Sequence, residues 1–230
     1  MPDGPIAFAD VTIRAYTARP EGSGPWPAVC IVHEAFGLND DIRRIAERFA
    51  DNGYLALAPD LVEGGRLTCI IRAFRDLRSG HGDSVDTLRN VVSWMADHPD
   101  VDQRRVAVTG FCMGGGFALL MGMVQDVKAI APNYGLVPDD ELVRQLCPTV
   151  ASYGARDRAF RGQPERLRAV LEAAAIPNDI KIYEGAGHSF MNDGGPALVR
   201  TVGKLAAVGY RPEEAEDAWR RILGFFSEHV

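Results

Sequence analysis

The sequence predicts a three-layer α/β fold, a mostly parallel central sheet with helices on both faces. Three observations predict it. Short apolar runs alternate along the chain with segments of helical period, which is the signature of strand–helix–strand units. A glycine-rich joint at residues 110–116 links a β-branched run directly to an apolar helical one. The 230 residues, 47% apolar and 24% charged, carry enough apolar mass for one real core. No linker, fixed-period repeat or low-complexity segment divides the chain, so residues 1–230 read as a single domain.

The elements follow in order. Asp10 to Thr17 reads as an early strand, and Pro20 to Pro27 as a Pro/Gly turn. Pro27 to His33 is continuously apolar, as in a strand buried on both faces. Ile42, Ile45, Ala46 and Phe49 then repeat at helical spacing, with Asn39 or Asp40 as cap and Asn52-Gly53 as stop. Tyr54 to Ala58 is a strand halted by Pro59. Asp60 to Gly82 is irregular and arginine-rich, and reads as a short lid or insertion. Asp83-Ser84 caps a helix that buries Val85, Leu88, Val92 and Met95 and ends at His98-Pro99. Arg105 to Thr109 is a strand and Gly114 to Val124 a helix. Lys128 to Pro132, Pro148 to Tyr153 and Asp179 to Tyr183 are further strands. Pro164 opens a helix with Leu167, Val170, Leu171 and Ala174 inward. Pro212 opens the last helix, with Ala215, Ala218, Ile222 and Phe225 inward.

Composition excludes several functions. With 25 Lys and Arg against 31 Asp and Glu the net charge is −6, and the pI is near 5.4. Nucleic-acid and anionic-membrane binders need a basic field instead. Cys30, Cys69, Cys112 and Cys147 show no C-x-x-C spacing, so neither a zinc ribbon nor a redox pair is expected. The N-terminus, Met1-Pro2-Asp3-Gly4, has no basic or apolar leader pattern, which leads to the expectation of a cytoplasmic protein with reduced thiols. Val106 to Val124 is uncharged and as long as a membrane span, but its five glycines fit a strand, a turn and a buried helix better.

The chemistry concentrates at Gly110-Phe111-Cys112-Met113-Gly114. This is the G-x-nucleophile-x-G elbow, with cysteine where serine usually stands. Glycines on both sides let strand and helix approach closely around a strained turn. At a helix N-terminus the dipole and free N–H groups favour a thiolate, and the N–H of Met113 points where an oxyanion forms. A structural buried thiol is the bland alternative; the flanking glycines at a strand–helix joint speak against it. Thr109-Gly110…Gly114-x-Gly116 also spells a dinucleotide loop of short-chain dehydrogenases. That loop should follow the first strand, and none of the six tyrosines has lysine four residues later.

Enzymes with this elbow place an acid and then a base downstream. Asp157, in Ser152-Tyr-Gly-Ala-Arg-Asp157, and His188, in Gly187-His188-Ser-Phe, each follow a strand and share the sheet edge of the elbow. Singly they read as a turn aspartate and a loop histidine; together at matching strand ends they read as a triad. Glu34 ends an apolar strand, where a carboxylate needs a partner, in the loop that should supply the second oxyanion N–H. His81, His98 and His229 have no partner spacing and read as surface. No H-E-x-x-H or other metal pattern is present, and no cofactor is expected.

Glu34-Ala35-Phe36-Gly37, Gly110-Phe-Cys112-Met-Gly114-Gly115, Gly154-Ala-Arg-Asp157 and Gly187-His188-Ser189-Phe190 together resemble the dienelactone hydrolase family of α/β hydrolases. The resemblance spans nearly the whole chain. It implies the α/β-hydrolase fold and a Cys112–His188–Asp157 triad, with the backbone N–H groups of Ala35 and Met113 as oxyanion hole. It implies that Glu34 can contact the resting thiol and help control its activation, and that Phe36, Tyr134, Ser189 and Phe190 line the pocket. The chain departs from the family at Asn192. Members acting on dienelactone hold the substrate carboxylate with arginines, one of them four residues after the histidine. The other falls in the irregular stretch, where Arg72, Arg75 and Arg78 are candidates that also read as a solvated basic helix face.

The expected activity is cofactor-free hydrolysis of a small-molecule ester or lactone through a thioester, by a monomer or weak homodimer that binds neither nucleic acid nor membrane. The alternative is a redox-sensing or binding α/β module that uses Cys112 without turnover.

Overall fold

The structure is a computed structural model that describes residues 3–8, 11–63, 66–193 and 209–230. Eight strands form one sheet in the order β1-β2-β4-β3-β5-β6-β7-β8. They are β1 (Asp3–Phe8), β2 (Val11–Ala18), β3 (Trp26–Val32), β4 (Leu55–Pro59), β5 (Val101–Phe111), β6 (Val127–Asn133), β7 (Thr149–Gly154) and β8 (Asn178–Tyr183). The β1–β2 and β2–β4 pairs are antiparallel and every later pair is parallel. Parallel strands all end on the same edge, so the loops after β3, β5, β6, β7 and β8 meet there.

The helices are α1 (Asp40–Asp51), α2 (Leu67–Ser79), α3 (Asp83–Ala96), α4 (Met113–Met121), α5 (Asp140–Val143), α6 (Gln163–Ala173) and α7 (Pro212–His229). Helices α1 and α7 cover one face, and α2, α3, α4 and α6 the other. Strand side chains alternate between the two. Val29, Ala56, Ala107, Ala129 and Ala131 meet Phe49, Trp219 and Phe226, whereas Cys30, Leu57, Val106, Val108 and Ile130 meet the four-helix layer. The run of small strand residues on the first face leaves room for rings. Phe49 and Trp219 pack edge-on with centroids 5.2 Å apart. Beside them Arg48 lies 4.5 Å over Trp219 and forms two 2.7 Å bonds to Glu216.

Several expectations are corrected, while the α1 cap and the reading of Val106 to Val124 hold. The early strand runs Val11–Ala18; the expected Asp10 lies outside the described residues, and β1 precedes it. The arginine-rich stretch is largely helix α2, which buries Cys69, Ala73, Asp76 and Leu77 and leaves Leu67, Ile71 and Phe74 exposed. Helix α1 is capped by Asn39, whose Oδ1 accepts from Ile42 N at 3.0 Å. Asp83-Ser84 does not cap α3; the Ser84 N–H instead donates to Asp76 of α2 at 3.1 Å, a cap supplied from another helix. In α7 the buried rings are Trp219 and Phe226, with Phe225 half-buried against His229. His98 is half-buried against Trp94 at 4.8 Å and accepts from the Asp100 N–H. Val106 to Val124 is strand, elbow and helix, and among the described residues no helix is long and apolar enough to cross a membrane.

Candidate active site

Cys112 stands between β5 and α4 with φ 55° and ψ −115°. A side chain in the left-handed region is strained, and here the surrounding backbone leaves no other path. A Cβ on Gly110 would lie 1.9 Å from the Gly114 carbonyl oxygen, and one on Gly114 would lie 2.1 Å from the Val32 carbonyl oxygen. The Cys112 N–H donates to the Asn133 carbonyl at 3.1 Å, tying the elbow to β6. Helix α4 starts one residue later, so its positive end faces the sulfur.

His188 comes from the loop after β8 and Asp157 from the loop after β7. His188 Nδ1 and Asp157 Oδ2 are 2.6 Å apart, and Cys112 lies near enough to act on the same imidazole. Burial disfavours charge on this ring, but Asp157 and Cys112 outweigh it and raise the His188 pKa to about 10. The ring is held from two sides. Phe160 stacks on it with centroids 5.5 Å apart and planes 17° apart, and Tyr134 meets it edge-on at 5.3 Å. Asp157 also accepts from the Ala159 N–H at 3.2 Å, which fixes the carboxylate at the start of a short turn.

Glu34 follows β3 and is 3% exposed. Its Oε1 accepts from the Ser189 hydroxyl at 2.8 Å. Burial is the main cause that lifts its carboxyl to about 7; Asp41 adds to the rise, while the Ser189 bond and His188 oppose it. Its loop is anchored by His33, whose Nε2 accepts from the Leu61 N–H at 3.0 Å and whose Nδ1 lies 2.5 Å from the Glu34 carbonyl. That pattern requires a neutral ring protonated on Nδ1, in keeping with the downward push of burial on its pKa. Ala35 is half-buried and Phe36 exposed beside it, while Met113 opens α4.

Of the expected pocket residues, Ser189 sits half-buried with φ 57°, and Tyr134 is fully buried with φ 41°. Phe190 is also fully buried, packed on Tyr134 and Tyr183, so it lies under the site in the core rather than opening onto it. Asn192 is 3% exposed. Its Oδ1 accepts from the Tyr134 hydroxyl, and its Nδ2 donates to Asp41 Oδ2 at 2.7 Å. The three candidate arginines all fall on α2. Arg75 turns to Asp76, Arg72 lines a cleft with Asp60 and Asp83, and Arg78 lines another between α2 and Pro138.

Sequence reasoning missed Phe160, Asp41 and His33. Phe160 sits three residues past Asp157, a place with no motif. Asp41 reads as an ordinary first-turn acid of α1 until the fold turns it inward. His33 carries a signal, a histidine closing a buried strand, that only the tertiary contact to Leu61 interprets.

The chain matches the dienelactone hydrolase family over residues 13–230. A provisionally named carboxymethylenebutenolidase of Yersinia pestis is 31% identical over 94% of this chain and 84% of its own. One from Escherichia coli is 32% identical over 94% and 82%. The crystal structure of a provisionally named dienelactone hydrolase from Klebsiella pneumoniae superposes with a TM-score of 0.78 at 31% identity, covering 99% of this chain and 98% of that one. A sheet edge that gathers a cysteine elbow, a histidine and an aspartate, in a chain matched along nearly its full length, settles the kinship: the chain belongs to the dienelactone hydrolase family, hydrolases of the ester- and lactone-cleaving type.

Proposed function

We propose that this protein hydrolyses small-molecule esters or lactones through a Cys112 thioester. One observation carries the reading: a single imidazole, His188, is bonded to the Asp157 carboxylate and stands close enough to Cys112 to feel its charge. Asp157 and Cys112 both favour the protonated imidazole against the cost of burial, which supports His188 as the base that activates the thiol.

In this mechanism the Cys112 sulfur adds to the ester carbonyl carbon, and the carbonyl oxygen takes up the negative charge. The N–H groups of Ala35 and Met113 receive that oxyanion; Met113 is the first residue of α4, where a helix leaves its N–H groups without internal partners. The carbon–oxygen bond then breaks. The leaving oxygen takes the proton of His188, which leaves the ring neutral. A water next gives a proton to His188 and its oxygen to the thioester carbon, and Cys112 leaves as thiolate. Asp157 fixes the ring so that Nδ1–H faces it and the other nitrogen faces the reaction. Glu34 rests on Ser189 beside the imidazole, placed to tune activation of the thiol. Thiolate leaves more readily than alkoxide, so enol lactones, aryl esters and thioesters are the favoured substrates.

The test is an activated aryl ester with wild type and Cys112→Ala. Wild type is expected to turn over and to carry one acyl group on Cys112 after brief exposure, read by mass spectrometry. Full ester hydrolysis by folded Cys112→Ala overturns the mechanism. Oxidation of Cys112 without any acyl adduct or turnover favours a thiol sensor instead.

A further inference from the structure

We infer that His33 is a positioning residue, which aims the Ala35 N–H at the oxyanion by holding the far end of the same peptide unit. The inference rests on the hydrolase reading above and deepens its oxyanion hole.

The Glu34 carbonyl and the Ala35 N–H belong to one peptide group. A trans peptide is planar, so its C=O and N–H point in opposite directions, and fixing one fixes the other. Two donors hold this carbonyl. His33 Nδ1 lies 2.5 Å from it, and the Gly37 N–H donates to it at 3.2 Å across a tight turn. Gly37 closes that turn at φ 77°, a left-handed value that glycine adopts without strain. The Ala35 N–H is left pointing away from both donors, and among the described residues it has no backbone acceptor. Such an N–H is a donor in want of an oxygen.

The neighbouring strand sets the proton on His33. The ring is fully buried. Its Nε2 accepts from the Leu61 N–H at 3.0 Å, just past the end of β4. A ring nitrogen that accepts carries no proton, so in the neutral ring the proton sits on Nδ1 and faces the Glu34 carbonyl. Asp60 does not compete for Nε2: its Oδ1 stands 3.8 Å away and accepts from the Val62 N–H at 3.2 Å. Strands β3 and β4 are parallel neighbours, which holds Leu61 against His33. The strand pairing therefore selects the tautomer, the tautomer makes Nδ1 a donor, and the donor orients the peptide. A hydrogen bond to the C=O also polarises the N–H at the other end of the group and strengthens it. The elbow is in contact with this strand end, because a Cβ on Gly114 would lie 2.7 Å from the His33 carbonyl oxygen.

The experiment separates the two bonds of the ring. Asparagine places an amide N–H where Nδ1 stands, and glutamine places an amide oxygen where Nε2 stands. His33→Asn thus keeps the bond to the Glu34 carbonyl and loses the tie to Leu61, and His33→Gln does the reverse. Two rates at Cys112 are read for each protein by quenched mass spectrometry. Acylation by an activated aryl ester needs the oxyanion. Alkylation by iodoacetamide, in which the sulfur displaces iodide from carbon, forms none. His33→Gln is expected to acylate about 10–10²-fold more slowly than wild type, with alkylation close to wild type. His33→Asn should keep most of the acylation rate. A His33 that only packs the loop would move both rates together or neither, and either result overturns the inference, as does faster acylation by His33→Gln than by His33→Asn. Wild type labelled with isotopic histidine gives a test that needs no variant. The imidazole within nuclear Overhauser reach of the Leu61 N–H is expected as the Nδ1–H tautomer, and the Nε2–H tautomer overturns the inference. Wild type that is alkylated at Cys112 but never acylated there overturns the hydrolase reading instead, with the tautomer unchanged.

Discussion

Asp157 Oδ2 and His188 Nδ1 stand 2.6 Å apart across 31 residues of sequence. The contact joins the loops after two neighbouring parallel strands, β7 and β8, so the sheet itself sets its length. Asp157→Asn keeps an oxygen able to accept from Ala159 N–H and should leave stability within about 1 kcal/mol of wild type. It removes the charge that holds the imidazole in its working tautomer. We expect kcat/KM for an aryl ester to fall on the order of 10²–10⁴-fold. Steady-state kinetics and a urea melt on the same preparation check both halves; activity within a few-fold of wild type contradicts the assigned role.

Phe160 lies flat against the other side of that ring. A charged imidazole on an aromatic face gains an electrostatic attraction worth about 1 kcal/mol, and the stack keeps the ring from swinging off Cys112. Phe160→Ala should lower kcat about tenfold, with KM moved less, since the lost contact acts on the imidazole and not on the substrate. Phe160→Tyr, which keeps the aromatic face, should recover most of the rate. Equal losses in both variants would assign Phe160 to packing alone.

Glu34 makes a prediction about pH. Its folded pKa is about 7 against an ordinary value of 4.5, because burial penalises the carboxylate. The folded state thus binds the proton more tightly than the unfolded chain. The stabilisation is complete below about pH 4.5 and is lost as pH rises through about 7. Across that window wild type should lose on the order of 3 kcal/mol relative to Glu34→Gln. Glutamine keeps an oxygen for the Ser189 hydroxyl and does not titrate. Urea unfolding of both proteins at several pH values between 4.5 and 8 gives the difference directly, and a flat difference contradicts the assignment.

The parts of this molecule legible in the sequence are those whose physics is local. Cys112 is flagged by glycines that the close β5–α4 approach demands, and β3 to β8 by apolar runs bounded by Pro, Gly and Asn. Strand β1 is illegible because Asp-Gly-Pro-Ile-Ala-Phe holds two strand breakers and pairs on one side only. Helix α2 is illegible for a different reason. Its core stripe is Cys69, Ala73 and Leu77, but Leu67, Ile71 and Phe74 are apolar and exposed, so apolar residues on the outer face blur the helical period. Asp41, Phe160 and His33 draw their roles from partners 20 or more residues away in sequence, as in the 151 residues between Asp41 and Asn192. Residue type and neighbours carry no trace of such pairings.

Two glycines separate close approach from mere flexibility. Gly224 lies inside α7, and a Cβ there meets nothing within 4 Å. Gly224→Ala should raise stability by about 0.5–1 kcal/mol through the helix preference of alanine and a less free unfolded chain. Gly114 lies in the first turn of α4, and a Cβ there would come 2.1 Å from the Val32 carbonyl oxygen and 2.7 Å from that of His33. Backbone atoms cannot rotate aside, so α4 and the end of β3 must separate. Gly114→Ala should therefore cost about 1–3 kcal/mol, as overpacking does. The same separation moves Met113 away from Ala35, the pair assigned to the oxyanion, and misplacement near 1 Å lowers a rate about 10²-fold. Thermal melts and ester kinetics on the two variants should move in opposite directions in stability, with activity lost in Gly114→Ala alone. A Gly114→Ala protein as stable and active as Gly224→Ala would mean that the elbow does not hold the sulfur in place by contact.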